Sequence, residues 1–576
     1  MFSRTWKTSE RKYNVIANHD VKIPLSDGTV INADIFRPDS RGKFPAIFGF
    51  HPYDLAGQSG PIKPSANSTN FFRNPGQDKG NAYLEAGDPN FFVRRGYIHV
   101  IANVRGSGKS GGNFDFLRQQ EVQDCIEVMN WVTEQSWCNG NTTLFGVSYF
   151  AMVQPFIAAK QPPHLKCLFF PWGLTDRYRD LMYRGGILSQ GFLRMWALGS
   201  LDNPRVESYT RKKIGDVKFR ELVAKALQDE EIQAVPELVQ ILRNPDMGAF
   251  PLIVDQIVNP LNGEYWEECR PDYSAIKVPC YIGSDWANYG LHLPAAFRSW
   301  ENLSVPKKMI IGPPAYLDRP LYQLQYEALR WFDYWVKGIE TGIMEEPPIR
   351  LFVMGTGDWK AANDWPLPET KWTPFYLHED KLLSEHEHWV NEGYDSFDDS
   401  PWYRGYLEYT SPILVENTEV IGPIVANLYA STTDKEILWF VTLWEVDPQG
   451  NERVLTKGWL RGSHRELDPQ RIKPWLPYHP HTKSEPLTPG QICEFSIPIS
   501  PTGNLFKAGS RIKVKISGTD DPPQNALEAI AAGSLQRASA SRITVYHDAN
   551  HPSHILLPIT KGNVVGTFMS GGKPYI

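Results

Sequence analysis

Thr142-Thr143-Leu144-Phe145-Gly146-Val147-Ser148-Tyr149-Phe150 is the stretch on which the reading of this chain turns. Its first four residues read as a buried strand, and a helix-like segment follows Tyr149. A serine at the sharp turn between the two is lifted clear of the sheet, and the backbone N–H of the next residue, Tyr149, points to where an oxyanion would form. A nucleophile motif of this kind usually has a second glycine, but Phe150 stands there and Ala151 follows. On its own the pentapeptide is also compatible with an ordinary strand-to-helix turn.

Working outward, strand and helix signals alternate. Val21 to Leu25 and Thr29 to Phe36 flank the turn Ser26-Asp27-Gly28. Phe44 to Phe50 and Tyr97 to Val104 are apolar runs bounded by polar residues, as expected of strands buried on both faces. Val122, Cys125, Ile126, Met129 and Val132 recur at helical spacing. Such alternation predicts a parallel sheet covered by helices. From about Trp172 to Glu268 the pattern becomes largely helical. Alternation then resumes with strand Cys280 to Gly283, helix Leu293 to Asn302, strand Lys308 to Ile311 and helix Tyr322 to Lys337. A helical insertion within an α/β sheet reads as a cap over a site. After Glu345-Glu346-Pro347-Pro348 come short strands, Ile349 to Val353 among them, separated by Pro, Gly and Asp turns. That pattern predicts an all-β sandwich.

The 576 residues, 41 % hydrophobic and 22 % charged, suit several buried cores. A net charge of −6 without long single-sign runs argues against nucleic acid or an anionic membrane as partner. No apolar stretch approaches the ~18 residues of a membrane helix. The six cysteines are too sparse and irregular for a disulfide framework or zinc site. These features lead us to expect a cytoplasmic protein with no metal and no cofactor. Aromatic residues make up 12 %, enough to line a pocket for a flat, hydrophobic or aromatic small molecule. A homodimer is compatible with the composition.

Further segments occur in a set order: Asp27-Gly28, Phe44-Pro45-Ala46, His51-Pro52-Tyr53-Asp54, Arg95-Gly96-Tyr97 and Asn103-Val104-Arg105-Gly106-Ser107-Gly108. Trp137-Cys138-Asn139-Gly140, Arg330-Trp331-Phe332-Asp333-Tyr334-Trp335, Trp365-Pro366-Leu367, Thr544-Val545-Tyr546-His547 and His551-Pro552-Ser553-His554 continue it. Together they resemble the cocaine-esterase and X-Pro dipeptidyl-peptidase group of α/β-hydrolases over nearly the whole chain. The resemblance implies an α/β-hydrolase domain (1–170 and 271–345), an inserted helical cap (171–270) and a C-terminal jelly-roll β-sandwich (346–576). It makes Ser148 the nucleophile, with the Tyr149 N–H and the Tyr53 hydroxyl as oxyanion donors.

Two positions depart from that pattern. Aligned on Trp286, the family's catalytic acid falls on Asn288, with Asp285 three residues earlier. The family's histidine, which follows a Gly-Pro turn, falls on Tyr316. Imidazole has a pKa near 6.5, whereas a phenol near 10 is a poor base at neutral pH. His51 and His292 are the substitute bases within reach in sequence, and Asp318 could polarise Tyr316. The expectation that follows is a retained hydrolase pocket turned to non-hydrolytic acid/base chemistry, such as isomerisation, cyclisation, elimination or carbon–carbon bond formation on a carbonyl compound. The alternatives are a serine hydrolase with a displaced base and a non-catalytic binding protein. Trp172, Tyr178, Tyr183, Trp196 and Trp286 are the expected substrate-pocket aromatics.

Overall fold

The structure is a computed structural model that describes residues 7–53, 85–314, 320–387, 392–521 and 533–562. Ten strands form its first sheet: β1 (Val15–Pro24), β2 (Val30–Pro38), β3 (Phe44–His51), β4 (Ile98–Asn103), β5 (Cys138–Phe145), β6 (Leu165–Pro171), β7 (Cys280–Asp285), β8 (Lys307–Gly312), β9 (Ile349–Val353) and β10 (Asp358–Ala362). Their spatial order is β1-β2-β4-β3-β5-β6-β7-β8-β9-β10. From β4 through β9 every neighbour is parallel, while β1, β2 and β10 close the ends antiparallel. The sequence reason is visible in β3, Phe-Pro-Ala-Ile-Phe-Gly-Phe-His, where all eight residues are buried. Only a strand covered on both faces tolerates that pattern. Gly283 lies so close to β8 that a Cβ there would fall 2.6 Å from the Ile310 carbonyl oxygen.

Helix α1 (Gln119–Thr133) covers one face, turning Val122, Cys125, Val128, Met129 and Val132 inward. Phe92, Phe145, Phe169, Tyr281, Trp331 and Phe332 form the core on the other. One expectation needs correction here. Ile349–Val353 does not begin the all-β segment but pairs in parallel with β8, Met309 opposite Ile349, so the first sheet continues to Ala362. The segment's short length and flanking turns looked the same in either sheet. The C-terminal part is an antiparallel β-sandwich built on the long strands Thr418–Thr432, Leu438–Val446, Glu452–Arg461 and Cys493–Phe506.

Between β6 and β7 lies the helical insertion, which includes helices Gln190–Gly199, Asp216–Ala226, Pro236–Arg243 and Phe250–Ile257. A buried ion network ties it to the sandwich. Glu231 of the insertion, 2 % exposed, receives Arg461 at 3.1 Å and also Arg537. The two arginines are held in turn by Glu436 and Asp434 of the sandwich. Among the described residues no helix is long and apolar enough to cross a membrane, and all six cysteines are free thiols.

Removing one partner from a buried pair strands the other's charge and typically costs about 3–5 kcal/mol. Glu231→Ala should therefore lower resistance to urea by roughly that amount, read from tryptophan fluorescence, while Glu207→Ala, in an exposed pair with Lys212, should change it by less than about 1 kcal/mol.

Candidate active site

The turn after β5 has the geometry its sequence suggests. Gly146 has φ 146°, and a Cβ there would fall 2.2 Å from the Cβ of Phe150, so no larger residue fits. Ser148 sits at φ 54°, ψ −125°, strained for an L-residue. A short helix, α2 (Tyr149–Met152), starts immediately after it. The Tyr149 N–H, first in that helix, has no acceptor within it. Phe150, in place of the usual second glycine, stacks its ring on His51 at 4.8 Å and 17°.

Tyr53 completes an oxyanion corner. Its hydroxyl lies within hydrogen-bonding reach of Ser148 and accepts the Trp196 indole N–H at 3.3 Å. Burial, then the nearby Glu85 charge, hold its pKa well above 10, so the phenol keeps its proton. With the indole occupying the oxygen, that O–H is left to donate toward the serine side. The Tyr149 side chain turns away and donates to both oxygens of Glu121 at 2.8 Å. What Tyr149 offers the site is its backbone.

The two histidines take opposite tautomers. His51 Nδ1 accepts the Tyr53 N–H at 3.2 Å, which puts the ring proton on Nε2. Burial depresses its pKa to about 3. A ring in that state holds Tyr53 in place and has no basic nitrogen to spare. His292 faces the Gly173 carbonyl through Nδ1 at 3.2 Å. A carbonyl only accepts, so Nδ1 carries the proton and Nε2 is the basic nitrogen. Burial lowers its pKa to about 4, leaving it neutral at pH 7. Gly173 lies beside the elbow, since a Cβ there would come within 3.9 Å of the Ala151 Cβ.

Asp285 ends β7 and is fully enclosed. Its carboxylate accepts Trp172 Nε1 and Asn288 Nδ2, each at 2.6 Å, and the Ala287 N–H at 2.8 Å. Burial raises its pKa to about 6 despite these donors. Asn288 thus spends its amide N–H on Asp285 and retains its carbonyl oxygen as an acceptor. The same loop returns to His292, whose backbone N–H bonds the backbone carbonyl of Asn288 at 3.1 Å. Tyr316 and Asp318 lie outside the described residues.

Of the expected pocket aromatics, Trp196 belongs to the site, packed against Phe116 at 4.6 Å and Tyr149 at 6.2 Å. Trp172 is a core residue whose indole N–H holds Asp285. The other three do not belong to the site. Tyr178 and Tyr183 stack on each other at 5.0 Å inside the insertion, edge-on to Trp266, with hydroxyls donating to the carbonyls of Pro260 and Gln256. Trp286 packs away from the serine, its ring against Gly503 of the sandwich and its N–H on the Phe352 carbonyl at 2.5 Å. Helical spacing cannot tell an insertion's own core from its lining. Two carboxyls were not anticipated: Glu121, and Glu85, whose carbonyl accepts the Val147 N–H at 3.0 Å. Nothing local distinguishes them from surface acids, since only the fold buries them.

A serine at a strand–turn–helix junction, a tyrosine hydroxyl within its reach, an inserted helical segment and a β-sandwich mark the chain as one of the α/β-hydrolase class. The chain belongs to the X-Pro dipeptidyl-peptidase (S15) family, whose model matches residues 27–316, and the C-terminal non-catalytic domain of X-Pro dipeptidyl-peptidases matches residues 341–556. It is 26 % identical to cocaine esterase of a Rhodococcus species, over 95 % of this chain and 99 % of that one. A CocE/NonD family hydrolase from Staphylococcus aureus superposes with a TM-score of 0.75 at 25 % identity, covering 95 % of this chain and 94 % of that one. An α-amino acid ester hydrolase shares the fold, with a TM-score of 0.72 at 18 % identity over 96 % and 98 % of the two chains. These relatives favour hydrolysis over the isomerase, cyclase or lyase chemistry expected from the altered triad positions, and that expectation is withdrawn.

Burial raises the Glu85 and Glu121 carboxyls from an ordinary 4.5 to about 8. Each keeps its proton when folded and loses it when unfolded across that window. The associated stability is fully present below about pH 4.5 and is lost as pH rises through about 8. Glu121→Gln removes one such group but keeps an acceptor for Tyr149. Its unfolding free energy should fall less steeply between pH 5 and 8, by about 1.4 kcal/mol per pH unit at most, in urea titrations at several pH values.

Proposed function

We propose that this protein hydrolyses an ester or amide of a small hydrophobic or aromatic acyl compound, with Ser148 as nucleophile and His292 as base. The observation that carries the reading is the Ser148 corner itself, a strained serine with the Tyr53 hydroxyl within its reach at the start of a helix. A strained turn costs stability, and a polar corner of this kind has no packing purpose.

In this mechanism His292 Nε2 takes the Ser148 proton as Oγ attacks the acyl carbon. Negative charge gathers on the former carbonyl oxygen, where the Tyr53 O–H and Tyr149 N–H stabilise it. The protonated imidazole then returns the proton to the leaving alcohol or amine, and water releases the acyl group by the same route. Asn288 takes the position of an acid. The His292 ring is oriented by the Gly173 carbonyl on Nδ1, and a neutral carbonyl lends the imidazolium less electrostatic support than a carboxylate. The aromatic group of Phe116, Tyr149 and Trp196 would take a flat acyl substituent. Tyr316, at the family's histidine position, removes no proton in this scheme.

A fluorophosphonate should label Ser148, and p-nitrophenyl esters should be cleaved. Ser148→Ala should abolish both. His292→Ala should lower kcat by about 10³–10⁴, Tyr53→Phe by about 10²–10³, and Tyr316→Phe by far less than either. The rate of the wild-type protein should rise through a pKa of about 4 and be level at neutral pH. A protein that takes no label, or whose His292→Ala variant is fully active, would refute the assignment.

A further inference from the structure

A cavity of about 880 Å³ lies between the insertion, helix α3 (Leu293–Asn302) and the sandwich. Neither Ser148, Tyr53, Trp172 nor Trp196 lines it. Tyr289 and Gly290 do, so the loop that carries Asn288 borders this cavity. Its walls are unusual in two ways.

The first is charge. Six arginine and lysine side chains line it against three carboxylates. Its two histidines, His479 and His481, are pushed by burial toward the neutral form. The carboxylates are already committed: Asp176 to Arg179 at 2.6 Å and Arg270 at 3.0 Å, Asp180 to Arg298, and Glu301 to Lys473 at 3.7 Å. Donors are left over. Arg298 uses only Nη1, on Thr175 and Asp180, and its other N–H groups have no acceptor among the described residues. Arg471 uses Nη1 on the Tyr478 hydroxyl at 2.7 Å and stands 3.6 Å from Asp468 through Nε.

The second is flat apolar surface beside the charge. Trp365 stacks on Phe297 at 4.1 Å, and Trp475 on Trp372 at 4.9 Å. The Tyr478 ring lies under both Arg179 and Arg471, at 4.6 and 4.9 Å. Guanidinium groups over an aromatic platform bind planar anions well, because carboxylate recognition and stacking act on one ligand.

From this combination we infer a second ligand site, separate from the serine centre, that takes an organic anion with an aromatic body, such as an aryl carboxylate. The carboxylate meets the surplus of cations near Arg298 and Arg471, and the ring lies against the tryptophan and tyrosine faces. An excess of positive charge in a partly closed cavity is costly on its own and is relieved when an anion enters. This site does not depend on which residue is the base at Ser148.

The probe is 2-naphthoate, with the neutral 2-naphthamide as its control, titrated into the full-length protein by calorimetry. Naphthoate should bind with one-to-one stoichiometry, and naphthamide at least about tenfold more weakly. Arg471→Glu, on an exposed loop where folding is not at stake, should weaken naphthoate about tenfold or more, and Arg298→Gln should act in the same direction. Trp196→Ala, at the serine centre, should leave naphthoate binding as in the unaltered protein. Equal binding of acid and amide, indifference to Arg471→Glu, loss of binding in Trp196→Ala alone, or no binding up to millimolar naphthoate would each overturn the assignment.

Discussion

At Ser148 the backbone is held at a positive φ that a residue with a side chain adopts only when its surroundings leave no alternative. The surroundings come from three directions. Gly146 allows the chain to pass beneath Phe150 where any Cβ would collide. Glu85 anchors Val147 through a backbone bond, and the helix begins at once after the serine. The strain is sustained by the rigidity of the buried parallel sheet below, whose central strands expose almost nothing to water. Loosen the sheet and the turn would relax into an ordinary loop.

Around that fixed point the polar groups fall into a chain of dependence. Trp196 fixes the Tyr53 hydroxyl, His51 fixes the Tyr53 backbone, and Glu121 fixes the Tyr149 ring. On the other side Trp172 and Asn288 hold Asp285. The last arrangement is informative about the altered positions. A carboxylate is still present in the loop, but it is consumed in holding the loop's shape and is pushed by burial toward its neutral form. The amide at 288 is spent on that carboxylate, and the loop reaches His292 through the Asn288 backbone carbonyl.

How much of this could be read from the sequence depended on whether the information was local. The Gly146–Tyr149 turn, the strand and helix flanking it, and the existence of a later all-β segment, though not its start, are carried by short-range pattern and stand in the structure. So does helix Leu293–Asn302, where a proline near the start and regular apolar spacing mark both ends. The tautomers of His51 and His292 could not be read, because each depends on whether a backbone N–H or a carbonyl happens to face the ring. Glu85 and Glu121 looked like surface acids for the same reason. Tyr178 and Tyr183 were misplaced because an aromatic residue in a cap has two apolar environments to choose from, and the sequence does not distinguish them.

The insertion between β6 and β7 also bears on how the chain is made. Leu168 pairs with Cys280, so β6 leaves the ribosome more than a hundred residues ahead of the neighbour that will cover its edge. Until then the nascent sheet ends in an apolar strand with unmet backbone donors and acceptors, the kind of edge that recruits other chains. The helices translated in between have mostly local contacts and can form without waiting. The edge of β6 is closed only once Cys280–Asp285 has been made and pairs with it.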